Sequence, residues 1–250
     1  MIEAQGLVKT YESRRAVDGL SLTVQPGEIL GLVGQNGAGK TTTLRCLSGI
    51  IPPTEGRVRI AGFDIVAQPV DARRQLAFVP DEPRLFEHLT AWDHVLVVSR
   101  LYGVEDGPER GMQLLHDMDL GDRRDAFPGE LSRGMKQKLV IVLALLHGPR
   151  ALLLDEPLTG LDPGAMRHMR ERIARTAADG VAVILSSHLL HLVETTCSRV
   201  LIMARGRALQ VGTLDEIRRA IPDLAADASL EDVFMRATGD DGGPQGGGAR

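Results

Sequence analysis

The sequence predicts an α/β fold in which a mainly parallel β-sheet is flanked by helices. Three apolar runs, at residues 29–33, 151–154 and 181–185, each end in polar residues, as buried parallel strands do. Residues 163–178, between the second and third runs, suit the crossover helix of a βαβ unit. At 250 residues the chain is long enough to bury a substantial core around such a sheet.

The N-terminal segment, residues 2–24, predicts an antiparallel β subdomain. Leu20, Leu22 and Val24 are apolar and alternate with polar residues, which is the period of a half-buried strand. Residues 25–28, Gln-Pro-Gly-Glu, end this strand in a turn.

A glycine-rich loop follows the first buried strand and matches G-x-x-x-x-G-K-[ST], the phosphate-binding pattern. Its residues are Gly34, Gln35, Asn36, Gly37, Ala38, Gly39, Lys40, Thr41 and Thr42. The glycines let backbone N–H groups turn toward an anion, and the dipole of the following helix favours negative charge there. Lys40 can reach the β- and γ-phosphates, and Thr41 can coordinate Mg²⁺. The loop predicts that the chain binds a nucleoside triphosphate on a P-loop NTPase core.

The segment after the loop changes from strands to helices. Residues 57–60 and 76–80 predict further strands, whereas residues from about 84 to 150 show helical apolar spacing and predict an inserted helical subdomain. Residues 139–146 are apolar all round, so this part of a helix should be buried. That run is the longest apolar one, and it is far shorter than the roughly 20 residues needed to cross a bilayer.

Acidic residues and a histidine follow the later buried strands. Asp155 and Glu156 end one strand, and His188 follows Ser186 and Ser187 after the next. Because ligands bind at the carboxyl ends of parallel strands, we expect these groups to meet the phosphate loop. Asp155 is then suited to hold Mg²⁺ through water, and Glu156 to polarise a water that attacks the γ-phosphate. His188 either contacts the γ-phosphate or is a core histidine.

These residues resemble the ATP-binding cassette (ABC) ATPases over roughly residues 1–215. Six motifs occur in the family's order. They are Tyr11 as the aromatic A-loop, residues 34–42 as Walker A, residues 131–135 at the LSGGQ signature, residues 152–157 as Walker B, residues 158–162 as the D-loop, and His188 as the switch histidine.

The resemblance implies a head-to-tail dimer of cassettes, a homodimer here, with ATP and Mg²⁺ at the interface. Each site would pair the loop, Asp155, Glu156 and His188 of one copy with Ser132, Gly134 and Asp162 of the other. The N-terminal position of Ser132 in a predicted helix agrees, because its hydroxyl and nearby N–H groups can face a phosphate. Tyr11 either stacks on adenine or packs at a strand edge.

The chain departs from the family pattern at two places. Arg133 and Met135 stand where the signature usually has Gly and Gln, and Met135 cannot donate a hydrogen bond. Asp81 stands where the Q-loop glutamine is expected, and a carboxylate there can join the Mg²⁺ site. Glu82 is an alternative for that role, and Asp81 can also be a turn residue without a ligand.

Composition narrows the function classes. A formal net charge of −4 argues against a protein that mainly grips nucleic acid. The two cysteines, Cys46 and Cys197, fit no metal spacing and are expected reduced in a core, as in the cytosol. The N-terminus lacks the pattern of a signal peptide. We therefore expect a cytoplasmic protein, peripheral on the inner face of the cell membrane and partnered by integral membrane transporter subunits.

The sequence thus predicts the ATP-hydrolysing subunit of a transporter. The acidic Q-loop and residues 136–138 beside the signature resemble cassettes of exporters with separate membrane subunits. The alternatives are a soluble ABC-type ATPase acting on ribosomes or DNA, another P-loop kinase or GTPase, and a regulatory ATP-binding module. Residues 216–238 predict a helical extension that docks on the cassette or on a partner, and residues 239–250 predict a disordered tail.

Overall fold

Two β-sheets organise the part of the chain that the computed structural model describes, residues 1–222 and 224–239. The strands are β1 (Ile2–Tyr11), β2 (Arg14–Val24), β3 (Ile29–Val33), β4 (Glu55–Ile60), β5 (Phe63–Asp64), β6 (Leu76–Val79), β7 (Ala151–Asp155), β8 (Ala182–Ser186), β9 (Arg199–Ala204) and β10 (Arg207–Gly212). The α-helices are α1 (Lys40–Leu47), α2 (Pro69–Arg74), α3 (Ala91–Tyr102), α4 (Gly107–Asp117), α5 (Arg133–Leu146), α6 (Pro163–Ala178), α7 (Leu190–Thr196), α8 (Leu214–Ala220) and α9 (Leu230–Thr238).

The larger sheet has the strand order β10-β9-β3-β8-β7-β6. Strands β9, β3, β8, β7 and β6 run parallel to their neighbours, and β10 pairs antiparallel with β9, which confirms the predicted mainly parallel sheet. Ser186 of β8 is in register with Leu32 of β3 and with Asp155 of β7. The carboxyl ends of these strands therefore form one edge.

The smaller sheet is antiparallel, with the order β2-β1-β4-β5, as predicted for the N-terminal segment. The buried side of β2, with Leu20, Leu22 and Val24, shares a core cluster with Leu30 of β3 and Leu44 of α1. This packing holds the antiparallel sheet against the strand and helix that flank the phosphate loop.

Helices α3, α4 and α5 form the helical region predicted after residue 84, and they pack on one another. Thr90 starts α3 with a capping box that includes Asp93, and Gly103 ends it in the left-handed conformation. The prediction that residues 139–146 of α5 are buried all round is wrong for Val140, Leu143 and Ala144. These three side chains are only partly buried, because they lie at the margin of the core cluster.

The C-terminal helices α8 and α9 pack on the sheet. Leu230, Val233 and Phe234 of α9 share a buried cluster with Val33 at the end of β3 and Val200 of β9. Within the described residues, helix α9 thus docks on the cassette, one of the two alternatives left by the sequence. The predicted disordered tail, residues 239–250, begins at Gly239, which ends α9 in the left-handed conformation, and residues 240–250 lie outside the described residues.

Two further predictions concern cysteines and membrane spans. Both cysteines are free thiols as predicted; Cys46 is buried, whereas Cys197 is only partly buried because it lies at the margin of the core. Among the helices of the described ranges, none combines the length and apolar character that crossing a membrane requires.

Candidate nucleotide-binding site

The phosphate loop connects β3 to α1, and close backbone approaches explain two of its glycines. A Cβ at Gly34 would lie 2.6 Å from the carbonyl oxygen of Met203, and one at Gly39 would lie 2.5 Å from that of Ala16. Gly39 also has a φ of 106°, a conformation that side chains rarely tolerate. The loop is therefore held tightly between β2 and β9.

Lys40 opens α1 and its ammonium group lies over the loop. Its Nζ donates hydrogen bonds to the carbonyl oxygens of Gly34, at 2.6 Å, and Gln35, at 3.4 Å. Burial lowers the pKa of Lys40, and the nearby carboxylates of Glu156 and Asp155 act in the opposite direction. The cation is thus fixed where phosphate oxygens would meet the N–H groups of the loop.

One cleft brings the loop together with three predicted site residues, Tyr11, Asp81 and Glu156. Its lining also includes every loop residue from Gln35 to Thr42. The Tyr11 ring is 46% exposed at the end of β1, with the Lys9 Nζ 5.2 Å from its centroid. Tyr11 therefore lies at the surface of the cleft rather than in a core.

Asp155 lies beside this cleft, in a groove that it lines with Thr41, Asp81 and Glu82. Its carboxylate is 2% exposed and accepts a hydrogen bond of 2.6 Å from the Ser186 hydroxyl on the neighbouring strand. Asp81 lines both the cleft and the groove, whereas Glu82 lines only the groove.

The oxygen atoms of Thr41, Asp81 and Asp155 in this groove fit Mg²⁺. No cluster of three or more acidic, histidine or cysteine ligands occurs within residues 1–222 and 224–239. Magnesium is usually held by one or two carboxylates together with water and substrate phosphates, so it needs no such cluster. The Thr41 hydroxyl and the Asp155 and Asp81 carboxylates are oxygen ligands of the kind this ion prefers.

Glu156 is held by several groups at the end of β7. Its backbone has a φ of +49°, which is costly for a residue with a side chain, and its N–H donates to both the carbonyl and the hydroxyl oxygen of Ser186. Its carboxylate oxygen Oε2 lies 2.8 Å from Nδ1 of His188 and accepts a hydrogen bond from the Thr159 hydroxyl at 3.2 Å. These hydrogen bonds fix the orientation of the Glu156 carboxylate at the wall of the cleft.

Sequence reasoning missed Ser186 and Thr159 as parts of this site. The sequence analysis mentions Ser186 only as a residue before His188. Both Ser186 and Asp155 end a predicted parallel strand, and this shared position could have indicated that the two side chains meet. Thr159 lies three residues after Glu156, and that spacing alone does not indicate that the turn brings its hydroxyl back to the carboxylate.

Four predicted nucleotide-binding residues do not line this cleft: Gly34, which starts the loop, and Ser132, Gly134 and Asp162, which lie in other segments. Ser132 caps α5 by accepting a hydrogen bond from the Met135 N–H at 3.2 Å, and Asp162 caps α6 by accepting one from the Ala165 N–H at 2.9 Å. A Cβ at Gly134 would lie 3.2 Å from Leu161, so residues 131–135 and 158–162 pack together. The structure therefore separates the predicted site residues into two groups.

Comparison with known proteins identifies the family of this chain. The family model described as ABC transporter matches residues 17–159. The ABC-type transporter ATP-binding protein EcsA of Bacillus subtilis (strain 168) is 33% identical over 245 residues, covering 97% of this chain and 98% of its own length.

Two other relatives are named for export and resistance. The Nod factor export ATP-binding protein I of Burkholderia pseudomallei (strain 1710b) is 39% identical, covering 84% of this chain and 70% of its own length. The daunorubicin/doxorubicin resistance ATP-binding protein DrrA of Streptomyces peucetius is 33% identical, covering 94% of this chain and 72% of its own.

Solved structures match in fold over most of the chain. An ATP-binding subunit of an ABC transporter superposes with a TM-score of 0.90 at 35% identity, covering 95% of this chain and 99% of its own. The bacterial ABC transporter cassette MJ0796, solved as a dimer, gives a TM-score of 0.78 at 25% identity, covering 86% and 99%.

Proposed function

Because this chain belongs to the ABC transporter family, we propose that its cleft between Tyr11 and the phosphate loop binds ATP with Mg²⁺. The chain is an ATP-binding subunit and an ATPase, and its hydrolysis of ATP powers transport across a membrane. The observation that carries the site is the meeting of the loop, Asp155, Glu156 and His188 at the carboxyl edge of three adjacent parallel strands.

The loop and Lys40 hold the phosphates in this proposal. When ATP binds, the Lys40 ammonium group donates to β- and γ-phosphate oxygens instead of to the carbonyl oxygens of the loop. The N–H groups of the loop donate to the same phosphates. Tyr11 stacks on adenine at the other end of the cleft. Thr41, Asp155 and Asp81 hold Mg²⁺, which when bound neutralises charge that develops on the phosphates.

Glu156 and His188 act on the attacking water. Glu156 accepts a hydrogen bond from the water and orients it toward the γ-phosphate. His188 keeps that carboxylate in place through the 2.8 Å contact of its Nδ1, and its exposed ring is free to meet the γ-phosphate. Thr159 supports the same oxygen, so the carboxylate needs little rearrangement before the reaction.

A second copy of the chain completes the site. Ser132, Gly134 and Asp162 lie outside the cleft of their own copy, which is expected if they meet ATP bound by another subunit. A positive helix N-terminus capped by Ser132 suits contact with a phosphate. The dimer reported for the MJ0796 cassette supports this arrangement, and we propose a homodimer.

The membrane partner docks on the helical region. A second groove there is lined by Arg84, Leu85, Phe127 and Lys136, and the neighbouring Phe86 is 69% exposed. Exposed aromatic side chains beside charged ones are typical of protein-binding surfaces. We propose that separate transmembrane subunits occupy this second groove and that the chain works at the inner face of the cell membrane. The names of the relatives favour export.

A pull-down with the Glu156→Gln variant tests this proposal. The variant should bind ATP and Mg²⁺ normally but hydrolyse ATP at least about 100-fold more slowly, because the amide cannot accept the proton. Glu105→Gln, the same chemical change at an exposed residue between α3 and α4, is the matched control and should keep most activity.

The pull-down uses detergent-solubilised membranes with ATP and Mg²⁺. Co-purification of a polytopic membrane protein in stoichiometric amount supports the transporter function. Recovery of ribosomal or DNA-bound proteins instead would support the soluble-ATPase alternative. Wild-type turnover in Glu156→Gln would place the base at another residue.

A further inference from the structure

Arg133 and Asp81, the two charged residues that depart from the family pattern, lie next to each other. The Nη2 atom of Arg133 is 3.6 Å from Oδ1 of Asp81, and the two side chains are 57% and 50% exposed. Arg133 is the first residue of α5, and Asp81 follows β6 by two positions. The pair therefore links the helical region to the segment that leaves the parallel sheet.

Arg133 also contacts a third segment. A Cβ at Gly160 would lie 3.4 Å from the Cζ atom of the Arg133 guanidinium group, and Gly160 has a φ of +76°. The side chain thus lies against the turn between β7 and α6 while it reaches Asp81. One guanidinium group bridges the start of α5, residues 158–162 and the Asp81 segment.

Helix stability does not explain this arginine. A positive side chain in the first turn of a helix faces the positive end of the helix dipole, which is unfavourable. The first turn of α5 has no acidic residue that would offset the charge. A role in contacts outside the helix accounts better for a cation at this position.

Asp81 has competing neighbours. It lines the groove with Thr41 and Asp155, where the proposed Mg²⁺ would lie, and it lines the cleft with Lys40. Among the ion pairs of the described ranges, its partner is Arg133. The Arg133 guanidinium group and the proposed Mg²⁺ therefore compete for the same carboxylate.

We propose that Arg133 is a positioning residue that holds Asp81 away from the metal position until Mg²⁺ and ATP displace it. Breaking this pair removes one contact between the start of α5 and the segment after β6, while the packing of α5 in the core is unchanged. This inference rests on the proposed function, since it requires ATP and Mg²⁺ in the cleft.

The exposure of the pair sets the size of the effect. Ion pairs that are about half exposed to water shift an equilibrium by up to about 5-fold. Removing Arg133 should therefore lower the Mg²⁺ concentration for half-maximal ATP retention by about 2- to 5-fold. A bond of this strength is weak enough for a bound divalent cation to displace.

Equilibrium dialysis of ATP at increasing Mg²⁺ tests the inference, in Glu156→Gln protein so that ATP is not consumed. Arg133→Ala is compared with Arg84→Ala, which removes the same charge from a residue that also lines the Asp155 groove. The expected result is a lower half-saturating Mg²⁺ concentration for Arg133→Ala and no change for Arg84→Ala. Thermal unfolding of each variant checks that the fold is intact.

Asp81→Asn provides the second measurement. In that background Arg133→Ala should no longer change the Mg²⁺ dependence, because its effect acts through the Asp81 carboxylate. Two results overturn the inference. One is an equal Mg²⁺ requirement in Arg133→Ala and Arg84→Ala, and the other is an Arg133→Ala effect that persists in the Asp81→Asn background. If the variants still retain ATP in those cases, the proposed function is not affected. Failure of every variant to retain ATP at any Mg²⁺ concentration overturns both.

Discussion

Replacing Ser186 by alanine should destabilise the fold and slow hydrolysis together. The Ser186 side chain is fully buried, and its hydroxyl donates to Oδ1 of Asp155 at 2.6 Å while accepting from the Glu156 N–H at 3.1 Å. Alanine removes a donor from a carboxylate that is 2% exposed and has little access to water. The same change frees the start of the Glu156 turn.

The expected cost follows from these contacts. A hydrogen bond to a charged group contributes about 1.5–3 kcal/mol, whereas the Glu156 N–H keeps the Ser186 carbonyl as an acceptor. We therefore expect a loss of about 2 kcal/mol in the free energy of unfolding. For a chain of this size the melting temperature should fall by about 4–8 °C. A shift of Asp155 and Glu156 by a fraction of an ångström should lower kcat by roughly 10-fold or more.

Urea unfolding followed by the fluorescence of Trp92, the chain's one tryptophan, measures the stability, and steady-state ATP turnover measures kcat. The control is Ser99→Ala. That buried hydroxyl donates only to the Val95 carbonyl of its own helix, so its loss should cost less than about 1 kcal/mol and leave kcat unchanged. A Ser186→Ala protein as stable and active as Ser99→Ala would refute the reasoning.

Three further predictions test the loop, the thiols and the C-terminal helix. Lys40→Ala should abolish ATP binding measured by equilibrium dialysis, and unchanged affinity would contradict the phosphate-loop assignment. Burial raises the pKa of Cys46 to about 11 and that of Cys197 to about 12, so at pH 8 both thiols should react with a disulfide reagent at least about 100-fold more slowly than in urea. Since only the unfolded thiols ionise near pH 8.5, this burial should also make the fold less stable as the pH rises above that value. Phe234→Ala should cost about 3 kcal/mol in urea unfolding, because Phe234 is 8% exposed, and equal losses in the more exposed Met235→Ala would contradict the docking of α9.

Strands β3, β7 and β8 were predictable because each is a short apolar run that ends in a loop or a polar group. Strand β3 and helix α6 have the predicted bounds, and the edge where Asp155 meets Ser186 follows from the rule for parallel sheets. The order of strands across the sheet and the pairing of β1 with β4 depend on contacts between distant segments. Local sequence patterns carry no signal for such pairings.

The candidate site was predictable in its residue types more than in its geometry. The loop and the acidic pair have local patterns, but the positive φ of Glu156 does not, because glutamate is not a residue that favours the left-handed region. The contact of Arg133 with Asp81 joins residues 52 positions apart in the sequence (133 − 81). It arises from the packing of α5 beside β6, which periodicity cannot specify.

The packing of α9 on Val33 has a consequence for ATP binding. Val33 directly precedes Gly34, so the strand end that carries the phosphate loop is buried by the C-terminal helix. Thr238 at the end of α9 lines a pocket together with Gln35 and Gly37 of the loop. Thermodynamic linkage makes any such coupling reciprocal: if docking of α9 changes the affinity of the loop for phosphate by some factor, ATP changes the docking equilibrium of α9 by the same factor.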